Sequence, residues 1–497
     1  MNPLFLTDGY KTGHHQQYPE GTTLVYSNFT PRSNKYAPKG CEQVVSFGQQ
    51  MVMQQLHEAF ERDFFSQPKD RVCGEMQHEL TLYLGVQYDV THFEKLHDLG
   101  YLPIAVKAIK EGSLVPMKVP VLTIYNTHPD FYWLTNYLET ILSNLMWKPM
   151  TSATIAHQYR KVLSKWQKKT AADQEWFLDW QGHDFSMRGM DSVEAVISSG
   201  LGHLTSFSGT DSLPAIHGAR KYYGENGFIA GSVPATEHSV MCAGGKEDEV
   251  ETFRRLLNTY PKGILSVVSD TWDLWKVCTE HVVTLKEEIL ARDGKLVIRP
   301  DSGDPVDILC GLNSNPPIMI DSELLKSEDV HNEPKVKGVI ELLWDVFGGT
   351  INEQGYKVLD SHIGAIYGDS ITIDRADEIC RRLEAKGFAS TNVVLGIGSF
   401  TYQYNTRDTF GFAMKATYVE VNGEAREIFK DPITDDGTKK SATGLLFVGL
   451  DDNLQIALYD KVSWKEEGMG LLQTIYKDGK FENTTTLTEI REHLKQA

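Results

Sequence analysis

Four short apolar runs, each breaking off into acid, glycine or serine, constrain this chain more than any other feature. They are Ile264-Leu265-Ser266-Val267-Val268-Ser269-Asp270, Leu296-Val297-Ile298-Arg299-Pro300-Asp301-Ser302-Gly303-Asp304, Ile363-Gly364-Ala365-Ile366-Tyr367-Gly368-Asp369 and Val393-Val394-Leu395-Gly396-Ile397-Gly398-Ser399. Continuous Val- and Ile-rich runs read as parallel strands buried on both faces. In barrels and open sheets of such strands the chemistry collects at the carboxyl ends. Three acidic ends and one Gly-Ser end in succession suit a sugar, a metal ion and a phosphate. The first two runs lie about 30 residues apart, as do the last two, which is the size of a βα unit. The middle interval is about twice that, and the Pro- and Asn-containing stretch Leu312–Pro317 reads as an insertion within it.

On either side of this central pattern the chain reads differently. Strands are expected at Leu24–Phe29, Val44–Phe47, Ile104–Ala108 and Val119–Tyr125, with a helix over Gln49–Phe65. Two helices follow in 130–170, and strands return at Phe412–Val421, Leu445–Val448 and Ile456–Leu458. The expected class is α/β: an irregular α/β barrel-like central domain, residues 151–404, plus a β-rich α+β domain formed from both chain ends, residues 1–150 with 405–497.

A net charge of −18 argues against nucleic-acid binding or attachment to an anionic membrane driven by bulk charge. The six cysteines are scattered without a CxxC pair, which suits a reducing compartment. The start, Met1-Asn2-Pro3-Leu4-Phe5-Leu6, lacks the pattern of a signal peptide, and no run is long and apolar enough for a membrane span. A cytoplasmic protein is expected.

Several polar positions invite a chemical reading beside a plain one. In Gly209-Thr210-Asp211, Thr210 reads as the N-cap of a helix running to Tyr223, with Pro214 in its first turn and Asp211 as a first-turn acid favoured by the helix dipole. His238, beside Glu237 in the loop Ser232–Ser239, reads as a structural histidine or as a group oriented by Asp270. Arg299 and Asp301 form an ion pair at a turn or part of a site. Gly398-Ser399 reads as a turn or as a nest of backbone N–H groups for phosphate. Lys415 and Lys430 are ordinary surface cations unless a site claims them.

The order Thr7-Asp8-Gly9-Tyr10-Lys11, His183-Asp184-Phe185, Gly209-Thr210-Asp211, Ser232-Val233-Pro234-Ala235 with Glu237-His238-Ser239, Ser266–Asp270, Ile298–Gly303 and Phe429-Lys430-Asp431-Pro432 resembles the nicotinamide phosphoribosyltransferases, a type II phosphoribosyltransferase family, over essentially the whole length. The resemblance implies transfer of phosphoribose from phosphoribosyl pyrophosphate to nicotinamide in NAD salvage, by a homodimer with shared active sites. By the same resemblance Phe185 and the partner's Tyr10 look like the two slices around the pyridine, with Asp211 and Arg299 on the nicotinamide side. Ser266, Asp301, Gly368 and Asp369 look like the ribose side, and Mg²⁺ is implied at Asp270 and Asp301. Arg188, with Arg32, Lys415 and Lys430 of the partner subunit, looks like the phosphate and pyrophosphate contacts. Gly398, Ser399 and the partner's Arg407 look like the 5′-phosphate site. His238 looks like the residue that ATP phosphorylates, with Asp270 orienting it.

Two positions depart from the family pattern. Many relatives have a denser glycine run where this chain has Gly396-Ile397-Gly398-Ser399-Phe400, so Phe400 must find room. Some carry Arg where this chain has Gly364. Three other readings compete: a nicotinate phosphoribosyltransferase, disfavoured by like charge at Asp211; a non-enzymatic signalling or binding protein on the same fold; and a metal-dependent sugar-phosphate lyase or phosphatase in which Tyr10 has no role.

Overall fold

The computed structural model describes residues 1–312, 333–368, 370–430 and 441–497, with two short backbone stretches between 312 and 333. Asp369, Asp431, Pro432 and most of the stretch expected to be an insertion lie outside the described residues. The chain divides into two compact units, one of Met1–Thr154, His217–Gly227 and Asn405–Ala497, the other of Ile155–Ile216 and Phe228–Tyr404.

The first unit is built on a seven-stranded antiparallel sheet. In spatial order its strands are Glu424–Glu427, Ala413–Val421, Thr22–Thr30, Leu122–Asn126, Ile104–Ile109, Leu472–Lys477 and Lys480–Phe481. Both chain ends therefore meet in one sheet, where Thr22–Thr30 pairs with Ala413–Val421 on one side and Leu122–Asn126 on the other. Phe29 stacks on Phe412 with ring centroids 5.2 Å apart. The buried Lys107 ammonium donates to Glu467 at 2.8 Å, and the Tyr26 hydroxyl donates to the same carboxylate, so neither charge of this pair is buried alone. The helix expected over Gln49–Phe65 runs as an α-helix to Phe60 and widens into a π-turn over Glu61–Phe65. In 130–170 a short turn of helix, Leu134–Tyr137, precedes a long helix, Glu139–Thr170, that contains Pro149.

The second unit holds the four apolar runs. Its six parallel strands follow the order Gly209–Thr210, Gly182–Asp184, Val393–Ile397, Ile363–Tyr367, Asp293–Arg299 and Lys262–Val268. The four runs are immediate neighbours, so their carboxyl ends share one rim. Single parallel bridges, Gly209 to Gly231 and Ala235 to Ser266, connect the two edge strands through the segment 231–235 and close an irregular ring. Leu265, Val267, Leu296, Ile298, Ile363, Ala365, Val393, Leu395 and Ile397 pack outward into one apolar core with the surrounding helices. The alternate residues Ser266, Val297, Arg299, Gly364, Ile366, Val394 and Gly396 share the opposite face.

One local expectation fails. Thr210 is not a helix N-cap and Asp211 is not in a first turn. Gly209 and Thr210 pair with His183 and Asp184 as a short strand, and the helix starts later, at Leu213. An N-cap is itself extended, so the pairing alone does not exclude Thr210; what displaces it is that the chain turns into the helix only at Leu213. The Thr210 hydroxyl instead accepts from Ser212 N and donates to Asp184.

Candidate active site

The rim formed by the strand ends of the second unit carries most of the polar residues singled out from sequence. Asp270 follows the strand Lys262–Val268, and its carboxyl Oδ2 accepts from the backbone N–H of Asp301 at 2.8 Å and of Ser302 at 2.7 Å. The carboxylate thus pins the turn that carries Asp301, the next acid along the rim. Asp270 Oδ1 is buried and has no hydrogen-bond partner, and the same is true of Ser266 Oγ and Arg299 Nε. Buried polar atoms are nearly always paired, so three such atoms on two adjacent strands make this part of the rim a candidate ligand site.

His238 stands at the start of the helix His238–Gly244. Its Nε2 lies 3.9 Å from Asp270 Oδ1 and 3.8 Å from Asp301 Oδ2, near both carboxylates but bonded to neither. Its Nδ1 is 3.1 Å from the hydroxyl of Thr271, the residue after Asp270. Burial lowers the pKa of Arg299 against the pull of Asp301, Asp211 and Asp270, and Arg188 lowers it further. Gly368 closes this side: a Cβ there would come within 2.7 Å of Asp301 Oδ1.

Across the ring, Asp211 sits in the loop between its short strand and the helix. Its Oδ1 accepts from His183 Nε2 at 3.0 Å and from Ser232 Oγ. Burial pushes the Asp211 carboxyl upward, but these two hydrogen bonds and the nearby charges of His183 and Arg299 outweigh it and hold the pKa below the ordinary value. The His183 ring packs against Phe185 with centroids 4.5 Å apart. Phe185 in turn lies over Gly396, whose missing side chain would otherwise sit 2.8 Å from the ring and 2.6 Å from the Tyr367 carbonyl. The fully buried Asp184 accepts from Ser186 N and Oγ through Oδ1 and from Thr210 Oγ1 through Oδ2. One carboxylate therefore braces both the Phe185 loop and the approach to Asp211.

Gly398 precedes the short helix Ser399–Gln403 in extended backbone. Ser399 packs against Gly189 in the turn Met187–Gly189, which carries Arg188. Phe400 finds its room on the surface, 60% exposed and stacked on Tyr404 at 5.1 Å. At Gly364 the space is taken from the neighbouring strand: Lys295 Cδ lies 3.2 Å from where a Cβ would be, and burial lowers its pKa against the pull of Asp360.

The remaining candidates belong to the first unit. Tyr10 is 65% exposed. Arg32 and Lys415 line one small cavity with Asn28 and Lys118. Burial depresses the pKa of Lys415 against the pull of Glu139, and repulsion from Arg32, Lys430 and Arg407 lowers it further. Thr271, Ser232, Asp184 and the role of His183 escaped the sequence reading. His183 and Ser232 stand inside motifs quoted above, but their partner, Asp211, is distant along the chain.

Among the described residues no cluster of three or more His, Cys, Asp or Glu side chains is arranged to hold a metal ion. None of the six cysteines forms a disulfide, and five of them are buried. No helix among the described residues is long and apolar enough to cross a membrane.

A model of the nicotinate phosphoribosyltransferase (NAPRTase) family matches residues 180–490, and a model of the nicotinamide phosphoribosyltransferase N-terminal domain matches residues 2–96. A nicotinamide phosphoribosyltransferase of Acinetobacter baylyi is 50% identical over an alignment covering 100% of this chain and 97% of the relative. One of Xanthomonas campestris pv. campestris is 34% identical, covering 100% and 98%. Among solved structures, a nicotinate-nucleotide pyrophosphorylase of Pyrococcus furiosus and human nicotinic acid phosphoribosyltransferase each align with a TM-score of 0.56 at 15% identity. The former alignment covers 100% of this chain and 95% of that structure, the latter 99% and 93%. At that identity the likeness is one of fold.

Proposed function

Since this chain belongs to the nicotinate phosphoribosyltransferase family, we propose that it transfers the 5-phosphoribosyl group of phosphoribosyl pyrophosphate to nicotinamide, giving nicotinamide mononucleotide and pyrophosphate in NAD salvage. The observation that carries the choice of base is Asp211. Both of its donors sit on Oδ1, and Oδ2 has no partner among the described residues. A carboxamide NH₂ donates to such an oxygen, whereas a nicotinate carboxylate meets like charge. Phe185 supplies one face for the pyridine, and the exposed Tyr10 of a second copy supplies the other.

Breaking the bond between ribose C1 and pyrophosphate builds positive charge on the sugar ring. Asp301, set at the rim by Asp270, stabilises that charge while the pyridine nitrogen attacks C1. Ser266 and Gly368 border the ribose, a role the resemblance also gives to Asp369. Gly398 and Ser399 offer the 5′-phosphate backbone N–H groups beside Arg188. The patch of Arg32, Lys415, Lys430 and Arg407 comes from the second copy and holds phosphate and pyrophosphate. In such a homodimer each site borrows residues from both chains. A magnesium ion fits the donor set, since it binds through one or two carboxylates plus substrate phosphates. Asp301 and the orphaned Oδ1 of Asp270 would hold it, and its charge would be available to offset that of the departing pyrophosphate.

For ATP coupling, a ring nitrogen of His238 attacks the γ-phosphorus, the bond to the bridging oxygen breaks, and ADP leaves. The Thr271 hydroxyl fixes the ring through Nδ1, and Asp270 and Asp301 flank Nε2. The chemistry is that of the cytoplasm, where these substrates and reduced thiols coexist. The test is a product assay with phosphoribosyl pyrophosphate, Mg²⁺ and either nicotinamide or nicotinate, with and without ATP. Nicotinamide mononucleotide as the main product supports the reading. Nicotinate mononucleotide as the main product, or no transfer to either base, overturns it.

A further inference from the structure

We infer that His183 and Ser232 are specificity-determining positioning residues. By donating together to Oδ1 of Asp211, they leave Oδ2 as its one open acceptor and set the site for a carboxamide. The inference rests on the nicotinamide reading above and deepens it.

An aspartate in a loop has no intrinsic reason to present one oxygen rather than the other, because its terminal torsion is broad and two-fold. The side chain of Asp211 is 41% exposed, so packing does not fix it either. Two donors from separate elements remove the ambiguity. His183 lies on the strand Gly182–Asp184, and Ser232 on the segment whose bridges close the ring. A carboxylate only accepts, so the proton of His183 resides on Nε2.

The imidazole is itself held in place. Its side chain is 11% exposed and its ring packs on Phe185. On the other edge it abuts Gly209, where a Cβ would come within 2.7 Å of Nδ1. The strand carrying it pairs with Gly209–Thr210 on one side and with Leu395–Ile397 on the other. Ser232 is anchored by its neighbour: Gly231 N donates to Ser208 O, and Thr210 N donates to Gly231 O. Neither residue has to touch the substrate. Together they fix which oxygen Asp211 offers and keep it ionised.

The test is a cycle of His183→Leu, His183→Gln, Ser232→Ala and Asp211→Ala, each assayed with both bases. His183→Leu is expected to raise KM for nicotinamide about tenfold, the loss of one hydrogen bond to a charged group. KM for phosphoribosyl pyrophosphate should stay unchanged, and the preference for nicotinamide over nicotinate should fall by a similar factor. His183→Gln, whose amide nitrogen reaches the place of Nε2, should restore most of the preference. Ser232→Ala in the His183→Leu background should lower it further. In the Asp211→Ala background, His183→Leu should change neither KM nor preference. An unchanged preference in His183→Leu, no rescue by glutamine, or an equal loss in the Asp211→Ala background overturns the inference while leaving the nicotinamide reading intact. A wild-type enzyme that prefers nicotinate overturns both.

Discussion

Replacing Asp211 by asparagine isolates the charge from the shape of the site. The His183 and Ser232 donors both point at Oδ1. An asparagine must keep its carbonyl oxygen there, because the alternative sets its NH₂ against two donors. The NH₂ therefore takes the place of Oδ2, and the open acceptor becomes a donor. Nicotinamide loses a hydrogen bond to a charged group, about 1.5–3 kcal/mol. At about 1.4 kcal/mol per factor of ten, that is roughly 10–150-fold in kcat/KM. Nicotinate moves the opposite way, exchanging like-charge repulsion for a donor to its carboxylate. The ratio between the two bases should therefore shift by more than the nicotinamide loss alone. Competition settles it: equal concentrations of both bases, limiting phosphoribosyl pyrophosphate, and the two mononucleotides separated by mass. Their ratio reads relative kcat/KM within one tube, independent of how much enzyme is folded. An unchanged ratio would refute the reasoning. So would a fall in nicotinamide use with no gain for nicotinate, since the Asp211 carboxylate would then not face the amide.

Co-expressed Tyr10→Ala and Asp301→Ala chains, each inactive alone, should recover part of the activity in purified mixed dimers; no recovery there argues against shared sites. With γ-³²P-ATP the wild type should take up acid-labile label and His238→Ala none, while the variant keeps some ATP-independent transfer; equal labelling removes His238 from the coupling. Gly396→Ala places a methyl 2.6 Å from the Tyr367 carbonyl and 2.8 Å from the Phe185 ring. One of the atoms met is the backbone carbonyl of the adjoining strand, so about 1–3 kcal/mol of overpacking should lower the unfolding free energy; displacement of the Phe185 ring should also weaken nicotinamide binding in calorimetry, and wild-type affinity would refute the placement of Phe185. Asp211 titrates below its ordinary value. A depressed native pKa adds stability that is present above the unfolded value and is lost as pH falls through the native one. ¹³C chemical shifts of the Asp211 carboxyl should therefore stay those of the ionised form down through about pH 4, the usual aspartate midpoint, and a midpoint at or above that value contradicts the clamp.

Much of this architecture is carried by local pattern. The four Val- and Ile-rich runs become four adjacent strands, because a strand buried on both faces has to be apolar throughout and a change to acid or glycine is where it leaves the core. The rim is legible for the same reason: Asp270, Asp301 and Gly398-Ser399 are placed by where their strands stop. Thr210 and Asp211 show the limit. Thr-Asp before Pro is a fair helix start by local preference, yet pairing with His183 and Asp184 draws Gly209 and Thr210 into the sheet and delays the helix to Leu213. A strand partner more than twenty residues away leaves no local trace.

By itself, then, the sequence determined the parallel strands, their acidic ends, the joining of both chain termini into a β-rich unit, and an order of motifs that identifies the family. What only the tertiary structure decided is how individual atoms are spent. Asp270 uses one oxygen on the Asp301 turn and leaves the other without a partner, the Asp270 and Asp301 carboxylates flank one nitrogen of His238 without bonding it, and His183 and Ser232 take a single oxygen of Asp211. Strand patterning follows from burial, which each residue records in its own hydrophobicity. Hydrogen-bond allocation depends on distances and directions between residues remote along the chain, and those exist only once the ring has closed.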